Sequence, residues 1–260
     1  MNKLFIALLS LIVFNAVGYG QSVSQVDNTV AKYLNAIRNW STDTSYAQAD
    51  SLDAANTRLL AYLTSVPVAR EAILQADLTK AKKSGLVAVT SSDSKIRFYS
   101  WDTYLGGTMH MFYNVAQFKD ANGMHTIFLN DTTVDGGDYA GIYTGLISVT
   151  NAAGKVVYMV TRYSIGSTKD RGETIAAYTI YNGQLLKQPI FKTTKKLLDL
   201  IEYGYDSFAA AFPKGEYPAI HFSKDNKTLY IPIVIGEKLT NHYLTYKYDG
   251  NNYVFEKNAK

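Results

Sequence analysis

The sequence predicts an α+β protein that is mainly antiparallel β, with N-terminal helices docked on a sandwich-like or curled β-meander. Three observations predict this. Up to about Ser84, apolar residues recur at spacings of three and four, as on one face of a helix. From Leu86 onward, strand-forming runs alternate with turn chemistry: SSDSK (91–95), DANG (120–123), NAAG (151–154), YNGQ (181–184), SKDNK (223–227) and YDGNN (248–252). Asn-Gly and Asp-Gly pairs in such turns favour positive φ and tight hairpins, which join antiparallel strands.

The chain opens MNKLFIALLSLIVFNAVGYGQ, with a basic Lys3, an apolar run from Leu4 to Phe14 and small residues Gly18 and Gly20 before Gln21. That is the layout of a secretory leader. The apolar run is shorter than the roughly 18–20 residues a spanning helix needs. Residues 1–20 are therefore expected to be a signal peptide, and no later segment matches them in apolar length. With no cysteine, the chain lacks the lipid-modified residue of a lipoprotein, so an exported periplasmic or extracellular location is expected. A core of about 240 residues then holds the fold without disulfides.

Residues 21–85 form the expected helical segment. Val23, Val26, Val30, Leu34 and Ile37 share one helical face, and Ser41, Thr42 and Asp43 offer caps for a second helix running to about Leu63. Ser65 and Pro67 open a third, short helix that carries Val68, Ala72 and Ile73 and ends before Gly85. Residues 86–260 form the β region of around twelve strands. Across Asn182-Gly183, a two-residue loop sets Ile180 opposite Leu185 and Ile175 opposite Ile190. Positions five apart lie on opposite faces of a strand, so this hairpin is apolar on both sides. A sheet wet on one face would alternate cleanly; these strands predict a sheet covered on both. A small four-bladed propeller is the alternative, suggested by the similar turns SSDSKIRFY and SKDNKTLYI.

Composition narrows the chemistry. The 26 basic and 22 acidic residues give a net +4, which falls to +3 without Lys3. Such balance argues against nucleic acid as a partner. There are 21 Tyr against 2 Trp and 11 Phe, and Tyr suits both half-buried strands and contact surfaces. No Gly-x-Ser-x-Gly elbow or phosphate loop occurs. The histidines His110 and His125 are held apart by the DANG hairpin, which sets His125 opposite Phe118, Lys119 or Asp120. Asp102, His110 and a serine would make a hydrolytic triad only if the fold brought them together.

Two segments remain as candidate sites. In WDTYLGGTMHMFYN, Tyr104 and Tyr113 offer rings, Asp102 a carboxylate, Asn114 an amide, and Gly106-Gly107 an open backbone. The acidic stretch NDTTVDGGDYAG places Asp131, Asp135 and Asp138 around a glycine bend, a pattern that could hold calcium, although the spacing is not that of the twelve-residue calcium loop. Together these features predict a non-catalytic, exported binding or envelope-associated protein that meets a glycan or peptide through an aromatic surface and needs no cofactor unless calcium. The alternative is a secreted hydrolase of an extracellular polymer, with carboxylates assembled only by the fold.

Overall fold

A computed structural model describes residues 21–45, 47–65, 68–129, 141–209 and 219–257. The leader and the three candidate calcium ligands Asp131, Asp135 and Asp138 lie outside these residues. Helix α1 (Val23–Ser41) buries Val26, Val30, Leu34 and Ile37. It starts at a capping box in which Ser22 and Gln25 satisfy each other's backbone N–H groups. Helix α2 spans Gln48–Leu63, and the short α3 (Glu71–Leu74) and α4 (Thr79–Lys83) follow. The expected cap for α2 is not used. Thr42 instead closes α1, and the Asp43 carboxylate accepts the Ser45 N–H at 2.6 Å in an Asx turn, so α2 begins five residues later without a side-chain cap. The single third helix of the sequence reading is two short ones. The Asp27 carboxylate takes the N–H groups of Lys80 and Ala81 at 3.1 and 2.8 Å, tying the start of α4 to α1.

The strands follow in chain order. They are β1 (Val87–Thr90), β2 (Ile96–Asp102), β3 (Phe112–Asp120), β4 (Gly123–Phe128), β5 (Ile142–Thr150), β6 (Val156–Ile165), β7 (Asp170–Tyr181) and β8 (Gln184–Lys187). After them come β9 (Phe191–Lys192), β10 (Leu197–Leu198), β11 (Leu200–Asp206), β12 (His221–Phe222), β13 (Thr228–Ile235), β14 (Lys238–Tyr248) and β15 (Tyr253–Phe255). They make three sheets. The first is the meander β1-β2-β3-β4; the second runs β11-β7-β6-β5, with β8 also on β7; the third runs β10-β9-β15-β14-β13-β12. Every pairing is antiparallel except β15 with β9.

Alternation along β2 and β3 explains how the layers stack. Tyr99, Trp101 and Val115 point to one face and meet the helices, packed with Leu34, Ile37, Leu59 and Leu63. Ile96, Phe98, Ala116 and Phe118 point the other way and meet Tyr143, Tyr158, Val160 and Ala176 of the second sheet. The opposite face of that sheet, with Val157, Met159, Ile175 and Ala177, packs on Phe191, Leu229, Ile231 and Tyr246 of the third. The order is helices, sheet, sheet, sheet, and the middle sheet is apolar on both faces. With three sheets and a helical outer layer, the fold is the helix-plus-sheet arrangement, not a ring of four blades.

Polar struts lock the helices to the first sheet. Buried Arg97 donates to the Ile73 carbonyl at 2.9 Å and to Thr90 Oγ1 at 2.6 Å, and buried Gln117 donates to the Val68 carbonyl at 2.6 Å. Each such group needs its partner, because an unmade buried hydrogen bond costs about 1–3 kcal/mol.

One register differs from the sequence reading. Ile180 does face Leu185, but Ile175 faces Ile201 of β11 rather than Ile190. Strand β8 stops at Lys187, just before Pro189, which has no N–H to continue a ladder. Ile190 still reaches the same core as Ile175, from the third sheet's side. Among the described residues, no helix is long and apolar enough to cross a membrane.

Candidate functional site

The segment between Trp101 and Tyr113 joins β2 to β3, whose register closes at Asp102 opposite Phe112. Its anchors come from three directions. The Thr103 N–H and hydroxyl both donate to the Met111 carbonyl, at 2.8 and 2.7 Å. Asn56 of α2 donates to the Thr103 carbonyl at 3.0 Å and accepts the Trp101 indole N–H at 2.9 Å. From the far side, the His110 N–H donates to the Ile165 carbonyl of β6 at 3.1 Å.

Within this frame the two faces of the segment divide. Trp101 is fully buried, and Tyr113 packs edge-on against it at 5.6 Å between centroids and against Phe128 at 5.2 Å. Burial, with the Asp53 charge adding to it, raises the Tyr113 pKa, so its hydroxyl stays neutral. Asn114 is fully buried; its side-chain oxygen accepts the Ser100 hydroxyl at 2.6 Å and its amide donates to the Gly141 carbonyl at 3.2 Å. Tyr113 and Asn114 thus support the bend from inside. Tyr104 goes outward: it is 46% exposed, at φ +57°, a region that L residues with large side chains rarely occupy. Asp102 holds it there by accepting the Tyr104 N–H at 2.8 Å. Met111, 39% exposed, gives a second apolar surface in the same bend.

The glycine pair serves two purposes. At Gly106 a Cβ would fall 1.8 Å from the Met109 carbonyl oxygen, so glycine is required where the chain doubles back. Gly107, at φ +63°, has open space around it. Only Gly107 therefore offers the open backbone anticipated for both.

The second oxygen of Asp102 meets His110 Nδ1 at 2.5 Å, and the imidazole stacks on Phe112 at 6.0 Å. In the neutral ring this contact fixes the proton on Nδ1 and leaves Nε2 as the acceptor. The arrangement resembles the orienting half of a hydrolytic triad. Ser100 does not complete it. Its hydroxyl is fully buried, donating to Asn114 and accepting the Tyr143 N–H at 3.1 Å.

Beneath Tyr104 lies a niche of about 20 Å³, bounded by Arg38 and Ser84 as well as Asp102 and Trp101. That is room for about one water, so a larger ligand would have to lie on the exposed Tyr104 ring at its edge. Arg38, Ser84 and Asn56 are distant in sequence from the bend, and only their contacts reveal them.

The other histidines are separate. His125 faces Phe118 in register, and its Nε2 contacts Asp120 at 2.8 Å. His221 stacks on Tyr230 at 4.9 Å. Among the described residues no three ligating side chains gather to hold a metal ion. Comparison of the chain with protein-family models, curated proteins and solved structures finds no match in any of the three.

Proposed function

We propose that the chain is an exported, non-catalytic binding protein that acts in the envelope or outside the cell and presents the bend at 101–113 to a glycan or peptide. The observation that carries this reading is Tyr104, an exposed ring held at positive φ on a bend that closes on itself through Thr103 and Met111 and is pinned to α2 and to the second sheet. Backbone strain persists only where the surroundings enforce it, and it concentrates at ligand contacts. A Tyr ring has few torsions to fix, so stacking on a sugar or peptide costs little entropy. The leader pattern at residues 1–20 supports export. An unbiased glycan and peptide screen tests the reading, with the wild-type chain and Tyr104→Ala side by side. Binding that Tyr104→Ala weakens about tenfold is expected for a central anchor.

The Asp102–His110 pair favours a second reading, a secreted hydrolase that draws its nucleophile from a bound water. That reading requires turnover of a polymer in the same screen, abolished by His110→Gln. Binding without turnover supports the first.

A further inference from the structure

Strand β3 runs from the bend at Phe112 to Asp120, about 26 Å at roughly 3.3 Å per residue. At the Asp120 end, three hairpin turns converge: SSDSK, DANG and NAAGK. They enclose a cleft of about 510 Å³ between the first and second sheets, with Lys95, Lys119 and Lys155 around it and Tyr158, Ile180 and Tyr181 among its walls. That volume lies within the ordinary range for small-ligand sites. A neighbouring recess of about 300 Å³ shares Lys95, Lys119 and Asp120.

The charges in this cleft are unevenly satisfied. Asp120 is consumed internally: one oxygen takes the Asn122 N–H and His125, both at 2.8 Å, and the other takes the Gly183 N–H at 2.6 Å. Asp93 is likewise held by Ser91 at 2.6 Å, the Lys95 N–H at 3.1 Å and the Tyr158 hydroxyl at 2.7 Å. Of the amines, Lys119 pairs with Glu71 at 2.5 Å, but Lys155 donates only to the neutral Gln188, at 2.6 Å. The Lys95 ammonium has no carboxylate within ion-pair distance among the described residues, although its charge acts on nearby Asp93. The carboxylates stay charged but their acceptor sites are filled by internal donors, whereas Lys95 and Lys155 keep N–H donors for a ligand's anionic oxygen. Beside those amines stands Tyr181, 62% exposed, on the last position of β7.

We propose that this cleft binds a carboxylate-bearing saccharide, at a site distinct from the Tyr104 bend. A uronate ring has a flat C–H face and a carboxylate on its edge. Those two features match an exposed aromatic ring beside the Lys95 and Lys155 ammonium groups, which have no carboxylate within ion-pair distance among the described residues. An acidic peptide would engage the amines but has no flat apolar face to cover Tyr181.

Titration of the full chain by calorimetry at low salt tests the proposal, with trigalacturonate as the probe. Its neutral methyl ester and a tri-glutamate peptide serve as comparisons. Trigalacturonate is expected to bind, with affinity falling as salt is raised. The ester, the tri-glutamate and the K95Q/K155Q double variant should each weaken binding about tenfold. Tyr181→Ala should weaken it at least severalfold, and Tyr104→Ala should leave it unchanged. All these substitutions are at solvent-exposed or half-buried side chains, and circular dichroism confirms folding of each variant. The proposal is overturned if trigalacturonate fails to bind, if the ester binds as tightly, or if Tyr181→Ala has no effect. Equal or tighter binding of tri-glutamate would instead make the cleft a peptide site and equally overturn the saccharide assignment. Loss of binding in Tyr104→Ala would move the ligand to the bend.

Discussion

Trp101 places its indole N–H on Asn56 and its ring among the helices, while Tyr104, three residues on, turns its ring to solvent. Their truncations should therefore separate. Trp101→Ala removes a fully buried aromatic and leaves the Asn56 oxygen without its donor, so it should cost about 3–5 kcal/mol in a urea or thermal melt. Tyr104→Ala removes an exposed ring and should change stability by less than about 0.5 kcal/mol. A third residue sets a pH dependence. Glu173 sits in the second sheet, where burial pushes its carboxyl above its ordinary value of 4.5, only partly offset by the Ile220 N–H and the Tyr203 hydroxyl. The folded state thus holds this proton more tightly than the unfolded state. The contribution is fully present below pH 4.5 and is lost as pH rises through the higher folded value. Glu173→Gln, which mimics the protonated form, should gain stability relative to wild type as pH rises from 4.5 to about 7. An equal difference at both ends, measured by urea midpoints, would assign the group no such role.

At the scale of elements, what the sequence revealed depended on how local the cause was. Helix α1 was legible because Val26, Val30, Leu34 and Ile37 repeat at helical spacing and all are buried. The start of α2 was not, because Thr42 and Asp43 are good caps in isolation and were taken up by the end of α1 and its turn. The Asn182-Gly183 hairpin was legible from its turn residues, and Ile180 meets Leu185 as read. Its continuation to Ile190 was not, since β11 displaces β8 from the rest of β7. In the bend, the aromatic density around Gly106-Gly107 marked the segment. The division of rings between core and solvent needed the register of β2 on β3 and the contact from Asn56. Two glycines carry predictions here. Gly106→Ala would drive a Cβ into the Met109 carbonyl and should deform the bend, seen as lost near-ultraviolet dichroism from Trp101. Gly183, at φ +74°, would set a Cβ 2.9 Å from the His125 ring, so Gly183→Ala should cost about 1–3 kcal/mol on melting.

The whole molecule is a stack in which each sheet depends on its neighbours. The first sheet has the helical layer on Tyr99, Trp101 and Val115, and the second sheet on Phe98 and Phe118. Burying one such side chain contributes about 1.5–3 kcal/mol, so a chain lacking residues 21–85 should expose that face and aggregate, as light scattering would show. Calcium binding at Asp131, Asp135 and Asp138 would appear as a lower melting temperature in chelator, and coincident melts would remove it. The stack also explains how the bend is held: α2 and the second sheet each give it a hydrogen bond, and Thr103 closes it on Met111. We propose that this frame presents Tyr104 to a ligand. The most direct measurement is a paired titration and melt of wild type and Tyr104→Ala, using the ligand from the glycan and peptide screen. Tyr104→Ala is expected to bind about tenfold more weakly with an unchanged melting temperature. Unchanged affinity, whether or not the variant remains folded, would contradict it.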